Sequence, residues 1–184
     1  MSAAQIKNLI DPALLVQFLD LHVGYKIGDF GCGPLSHFVF PISKAIGEGG
    51  VIYVMDVQKN VLENIKAMAR NMGISNLVAV WTDLEIHGAA PIENNSLDRG
   101  MLVNILFQSK KYIDILKECS RMLKIGALLL IVDWKKEDAV IGPPSSLRLE
   151  PKKIKEVAKL FNLESVREFD AGPYHYGLVL EKKR

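Results

Sequence analysis

The stretch that decides the fold is IGDFGCGPLS, residues 27–36, where three glycines and an acid follow the first apolar run. The apolar run at residues 25–30 predicts a strand, and residues 36–46 have the pattern of a helix. Gly31 and Gly33 let the backbone turn tightly and approach a ligand, while the first amides of the helix stay free for it. The stretch therefore predicts a strand, turn and helix that bind a small molecule.

Strand and helix patterns keep alternating along the rest of the chain. Asp11 and Pro12 open a helix that extends to about residue 21. Further strands are expected at residues 51–55, 77–81, 99–103, 127–132, 164–169 and 176–181, and further helices at 58–72, 110–123 and 151–161. The pattern predicts an α/β, doubly wound, Rossmann-like sheet of mostly parallel strands with a C-terminal antiparallel hairpin, centred on residues 127–132.

Length and composition fit one compact domain over residues 1–184. The chain has 49% hydrophobic residues and 24% charged residues, enough apolar surface for a substantial core. Residues 1–22 would form an N-terminal helix that acts as a partial lid. The net charge is only +2 with acids and bases interspersed, so we expect no nucleic-acid partner.

Neither a membrane span nor a secretion signal is expected from the sequence. No apolar run is long enough to cross a bilayer, and the first residues lack a basic segment followed by a signal-peptide core. We therefore expect a cytoplasmic protein. The two cysteines, Cys32 and Cys119, make neither a disulfide framework nor a metal cluster, so both are expected to be reduced thiols.

Polar residues lie at or just beyond the ends of most of the predicted strands: Asp29, Asp56, Asp83, Asn104 and Asp133. In a doubly wound sheet, ligands bind beyond the carboxyl ends of the strands, so these side chains are expected to converge. A carboxylate at the second strand end can accept hydrogen bonds from both hydroxyls of a ribose, which makes Asp56 the strongest candidate ligand. The alternative for Asp56 is a cap on the following helix.

Two kinds of nucleoside cofactor could use this geometry. A nicotinamide dinucleotide favours G-x-G-x-x-G, but Ser36 stands at the third glycine. An acid at position 29 would also repel a nearby pyrophosphate, whereas it favours an ammonium group. Asp29 therefore favours an amino-acid nucleoside.

The motifs and their order resemble the class I S-adenosylmethionine-dependent methyltransferases. GYKIGDFGCG (24–33) resembles their first motif, VIYVMDVQ (51–58) the ribose-binding strand, VWTDLE (80–85) the adenine segment, and LKECSRMLKIGALLLIVDW (116–134) a helix and the fifth strand. The resemblance runs from about residue 23 to the C-terminus. It is greatest for the small-molecule branch related to ubiquinone and menaquinone methyltransferases, including small members with a late YHYGL.

The resemblance implies a site for S-adenosylmethionine at the strand ends. The residues that match its donor-binding positions are Asp29, Gly31, Cys32, Gly33, Asp56, Val57, Asp83, Leu84 and Asn104. Asp29 and the turn from Gly31 to Gly33 would hold the methionine end, and Asp56 would bind the ribose. Val57, Asp83 and Leu84 would contact adenine, and Asn104 would lie beside the methyl donor. The family usually continues the glycine turn with another glycine, where this chain has Pro34, Leu35 and Ser36.

Methyl transfer from a sulfonium is an in-line displacement with an activated leaving group, so a catalytic base is optional. His175 and Asp133 are the candidates if the acceptor is a hydroxyl. The resemblance favours a carbon or hydroxyl of a small molecule, and a homodimer could complete the lid. Two other functions remain open: a methyltransferase-like binding module without catalysis, supported by the changed turn, and a nicotinamide-dependent oxidoreductase.

Overall fold

A computed structural model describes residues 10–34, 38–137 and 141–184, and strands alternate with helices along them. The helices are α1 (Pro12–Leu19), α2 (Val39–Ile46), α3 (Lys59–Asn71), α4 (Tyr112–Met122) and α5 (Pro151–Lys159). The strands are β1 (Lys26–Phe30), β2 (Val51–Asp56), β3 (Leu77–Trp81), β4 (Leu97–Val103), β5 (Leu123–Trp134), β6 (Leu163–Asp170) and β7 (His175–Lys182). No helix in the described ranges is both long and apolar enough to span a membrane.

One seven-stranded sheet has the order β3-β2-β1-β4-β5-β7-β6. β1 pairs in parallel with β2 and β4, and β7 pairs antiparallel with both β5 and β6. This arrangement confirms the predicted α/β fold and its C-terminal antiparallel pair. Because the chain moves outward in opposite directions from β1 and β4, a crevice opens between their carboxyl ends.

Apolar side chains cover both faces of the sheet. One cluster contains Leu116, Ile131 and Ile154 with neighbours from α4 and α5, while the other contains Leu15, Ile42 and Leu130 from α1, α2 and β5. Alternate residues of β5 belong to different clusters, since successive side chains of a strand point to opposite faces. This burial explains the unbroken apolar run that predicted a strand covered on both sides.

The structure corrects two details of that strand. β5 begins at Leu123, directly after α4, so Gly126 lies within the strand and not at a turn before it. Gly126 has a φ of +80°, and the pairing between β4 and β5 shifts register after Leu97 and Leu123. The extra residues form a local irregularity that only glycine accommodates easily. The middle strand of the sheet is β4, with β5 beside it.

The first helix is fixed to the body of the fold. The Asp11 side chain accepts a hydrogen bond from the Ala13 amide, which confirms the predicted cap. At the other end of α1, Arg99 donates from Nε to the Leu19 carbonyl at 2.6 Å and from Nη2 to the Asp20 carbonyl at 3.3 Å. These bonds satisfy carbonyl groups that a helix end leaves without partners.

Candidate functional site

A cavity of about 270 Å³ opens beyond the carboxyl ends of the first three strands and the segment after β4. Gly31 and Gly33 line it after β1, Asp56 at the end of β2, and Asp83 after β3. The remaining lining residues are Pro34, Val57, Gln58, Thr82, Leu84, Glu85, Ile105, Gln108, Ser109 and Ile115. Of the five polar residues predicted to converge at the strand ends, Asp56 and Asp83 line this cavity.

The turn after β1 is shaped by its two glycines. The amides of Gly31 and Cys32 both donate to the Met55 carbonyl, at 2.9 and 3.0 Å, which ties the turn to β2. Gly31 has a φ of +83°, and a Cβ there would stand 2.5 Å from Cδ1 of Ile105. Gly33 has a φ of +60°, and among the described residues, its chain neighbours apart, none has an atom within 4 Å of its Cβ position. Gly31 therefore serves packing, whereas Gly33 leaves the cavity side open.

The Asp56 carboxylate is held rigidly by the backbone. Oδ2 accepts a hydrogen bond from the Gly33 amide at 3.1 Å, and Oδ1 accepts one from the Gln58 amide at 2.9 Å. The second bond orders the turn before α3 but is not the helix cap considered from the sequence, since Gln58 is itself the N-cap residue and no side-chain hydrogen bond caps α3 in the described structure. Because each carboxylate oxygen has two lone pairs, Oδ1 keeps one for a ligand hydroxyl, while Oδ2 also accepts a weak hydrogen bond from the Cys32 thiol that a hydroxyl could replace.

Asp29 lies below this turn, nearly buried in β1 with 4% of its surface exposed. Burial, followed by the negative charge of Asp56, raises the pKa of Asp29 to about 8. Burial and the same two carboxylates also raise the pKa of the Cys32 thiol, whose Sγ lies 3.9 Å from Oδ2 of Asp56. A cationic group placed here would stabilise both carboxylates.

Two buried polar atoms at the ends of β3 and β4 have no hydrogen-bond partner within the described ranges. They are Oγ1 of Thr82, on the cavity wall, and Oδ1 of Asn104, a residue with a φ of +58°. Asp83, half-buried beside Thr82, accepts a hydrogen bond from the Glu85 amide at 2.9 Å. Buried acceptors and donors without partners indicate sites that a ligand or water completes.

These features fit S-adenosylmethionine. Asp56 offers an oriented carboxylate for the ribose, Val57 and Leu84 supply an apolar wall for the base, and Asp29 supplies a carboxyl group near the turn that an ammonium group would hold in its ionised form. The structure brings six of the nine predicted residues to the cavity surface: Gly31, Gly33, Asp56, Val57, Asp83 and Leu84. Asp29, Cys32 and Asn104 are adjacent along the chain but do not line it, and Leu35 and Ser36 lie outside the described residues.

The two candidate bases do not line the cavity. Asp133, 1% exposed at the end of β5, accepts hydrogen bonds from the amides of Trp134 and Phe107. Burial nevertheless raises its pKa to about 6. His175 is fully buried against Trp134, neither ring nitrogen has a partner in the described structure, and burial lowers its pKa to about 4. His175 is therefore neutral at physiological pH.

A larger groove of about 750 Å³ lies elsewhere, between α2 and the segment after α3. Its lining includes Phe40 and Lys44 of α2, together with Gly47 and Asn76, which come shortly before β2 and β3 in the chain. The groove therefore lies at the amino ends of these two strands. It faces away from the polar strand ends, so we assign the functional site to the smaller cavity.

Sequence reasoning missed several residues of the cavity wall. Thr82 and Glu85 lie within the predicted adenine segment VWTDLE, on either side of Asp83 and Leu84, and their polarity was the available signal. Ile105, Gln108 and Ser109 come from the turn after β4, whose 3-10 conformation at Leu106–Gln108 folds it back over the cavity. Nothing in the sequence spacing indicates that fold-back.

Comparisons with known sequences show which proteins the chain is similar to. Residues 13–142 match the model of the ubiE/COQ5 methyltransferase family. A demethylmenaquinone methyltransferase from Staphylococcus haemolyticus is 32% identical over 119 residues, covering 62% of this chain and 46% of that protein. One from Lactococcus lactis is 27% identical over 110 residues, covering 60% and 42%. The chain thus spans about half the length of these curated relatives.

Solved structures share the fold. An S-adenosylmethionine-dependent methyltransferase from Aquifex aeolicus has a TM-score of 0.87 at 23% identity, covering 98% of this chain and 94% of that one. The [4+2]-cyclase SpnF has a TM-score of 0.79 at 16% identity, covering 94% and 79%. Because a cyclase shares the architecture, the fold alone does not define the reaction. The family model does define the class and its cofactor, S-adenosylmethionine: the chain belongs to the ubiE/COQ5 methyltransferase family.

Proposed function

We propose that this protein transfers a methyl group from S-adenosylmethionine to a carbon or hydroxyl of a small-molecule acceptor. The observation that carries the proposal is the cavity where the turn at Gly31 and Gly33 meets the oriented Asp56 carboxylate. Family membership supports the reaction class.

The nucleoside half of the donor would be held by three strand ends. Asp56 would accept hydrogen bonds from the ribose hydroxyls, through the remaining lone pair of Oδ1 and through Oδ2 in place of its weak contact with the Cys32 thiol. Val57, 57% exposed without a ligand, would gain apolar burial by packing on the base. Asp83 would accept from the adenine amino group, with Leu84 beside it.

The methionine half would lie over the turn after β1. Asp29 would pair with the ammonium group, and the backbone of Gly31, Cys32 and Gly33 would border the chain that leads to the sulfur. The unpartnered Oδ1 of Asn104 would face the region of the methyl group. Ionised Asp29 is disfavoured by burial, so donor binding would release the proton that Asp29 holds.

The cofactor supplies an activated methyl group, and the protein supplies orientation and a dry environment. Asp133 holds the segment that begins at Phe107 against the sheet, which positions one wall of the site. Asp133 is 1% exposed and does not line the cavity, so we assign it this positioning role and no proton transfer. His175 is assigned no contact with the reacting atoms, because it is completely buried.

The curated relatives are named demethylmenaquinone methyltransferases, which supports a small, partly apolar acceptor. The same proposal includes a single domain over residues 1–184, in which α1 borders the acceptor side as a partial lid, and a cytoplasmic location. A homodimer would complete the lid. Cross-linking and sedimentation would test the dimer.

Calorimetric titration with S-adenosylhomocysteine tests donor binding. We expect saturable binding by the wild-type protein, its loss in Asp56→Ala, and unchanged binding in Glu93→Ala, which removes an exposed carboxylate. Absence of binding by the wild-type protein contradicts the proposal. Turnover of radiolabelled S-adenosylmethionine with quinone precursors and other hydroxyarenes then tests catalysis, and binding without turnover would indicate a binding module.

A further inference from the structure

Trp81 is an exposed tryptophan at the end of β3, with 61% of its surface accessible. Its register partner in β2 is Asp56, the carboxylate at the cavity. Despite its exposure the indole is fixed: Nε1 donates a hydrogen bond of 2.9 Å to the Val57 carbonyl. Lys59 places Nζ 3.9 Å from the centre of the ring.

These contacts act on the short turn that follows β2. The Thr82 amide donates to the Asp56 carbonyl at 3.1 Å, and the Gln58 amide donates to Oδ1 of Asp56. The hydrogen bond from the indole to the Val57 carbonyl is the third in this turn, and it fixes the residue that follows Asp56. With its carbonyl held from outside the cavity, the peptide plane is fixed, and so is the direction of the Val57 side chain.

Val57 lines the cavity through a side chain that is largely exposed in the free protein. An apolar group at a cavity wall contributes to binding only if it stands where the ligand needs it, and ordering it beforehand reduces the cost of binding. Lys59 packs over the indole face, whereas the hydrogen bond from Nε1 alone acts on the Val57 carbonyl.

We infer that Trp81 is a positioning residue for the nucleoside half of the donor, acting through its hydrogen bond to the Val57 carbonyl. It touches neither the cofactor nor the acceptor. The inference rests on the proposed function, because it requires that the cavity binds an adenosyl group. It assigns a role to an exposed aromatic residue that neither the core nor the strand pairing explains.

The test compares two ligands in calorimetry. S-adenosylhomocysteine carries both halves of the donor, whereas 5′-methylthioadenosine carries the nucleoside and the thioether without the amino acid. Trp81→Phe keeps an aromatic ring beneath Lys59 but removes the donor nitrogen. We expect it to weaken both ligands by the same factor, between about twofold and tenfold, the range of one hydrogen bond.

Two further variants separate positioning from general damage. Asp29→Asn should weaken S-adenosylhomocysteine and leave 5′-methylthioadenosine unchanged, because it acts on the ammonium group alone. Lys59→Met retains the indole bond and should keep both affinities within about twofold of wild type. A loss in Lys59→Met as large as that in Trp81→Phe would overturn the role given to the hydrogen bond.

Unchanged affinity of Trp81→Phe for both ligands would refute the inference, while wild-type binding that Asp56→Ala abolishes would leave the proposed function intact. Failure of the wild-type protein to bind either ligand would instead refute the proposed function. Circular dichroism and urea unfolding of each variant verify that the fold is retained.

Discussion

Asp29→Asn is expected to change the pH dependence of stability, because the wild-type residue is a buried acid. Its pKa rises from 3.8 to about 8 in the folded protein. Between these values the folded state holds a proton that the unfolded state has lost, so stability falls as pH rises. The slope is about 1.4 kcal/mol per pH unit, which accumulates to about 4 kcal/mol at pH 7.

An asparagine has the shape of the acid but never ionises, so this dependence disappears in the variant. The difference in free energy of unfolding between Asp29→Asn and wild type should therefore grow in favour of the variant from pH 5 to pH 7, by about 3 kcal/mol. Burying the asparagine amide has a cost that is the same at every pH. The test therefore uses the change with pH of the difference in free energy of unfolding, and not the size of that difference at one pH.

Urea unfolding at pH 5, 6 and 7 at constant ionic strength provides the measurement, with the midpoint and slope giving the free energy. Glu93→Gln is the matched control, since it neutralises an exposed carboxylate and should track wild type at each pH. Parallel pH profiles for wild type and Asp29→Asn would refute the burial of an acid at this position. In the same series, S-adenosylhomocysteine should bind wild type more tightly as pH approaches 8, and the variant should lose this trend.

Two other substitutions test packing and burial. Gly31→Ala should lower the free energy of unfolding, measured in urea, by more than Gly73→Ala does. Both glycines have a positive φ, which costs alanine about 1–2 kcal/mol at each position, but only a Cβ at position 31 would contact Ile105. Equal losses in the two variants would contradict that contact. His175→Phe should remove an acid sensitivity: the folded pKa of about 4 lies below the ordinary 6.5, so wild-type stability falls as pH drops through this window. The loss is about 2 kcal/mol at pH 5, and thermal unfolding of both proteins at pH 5 and pH 7 would show it.

Local patterns were sufficient for most of the fold. The apolar run in β5 and the glycine turn after β1 are short-range signals, because burial on two faces and a tight turn each restrict which residue types fit. The start of β5 was missed because it depends on a neighbouring strand: Leu123 belongs to β5 through its pairing with Leu97 of β4. The pairing with β7 covers only Leu128 to Trp134, the part that the apolar run had already indicated.

The sequence by itself determined the order of strands and helices, the carboxylates at the strand ends and the family, because strand ends in a parallel sheet always meet at one edge. Only the tertiary structure decided which of these groups share a cavity. It placed His175 away from the cavity and raised the pKa of Asp29 by burial. It also set Trp81 against the Val57 carbonyl. The hydrogen bond between Trp81 and Val57 joins residues 24 positions apart. A local sequence pattern carries no information about contacts across such a separation.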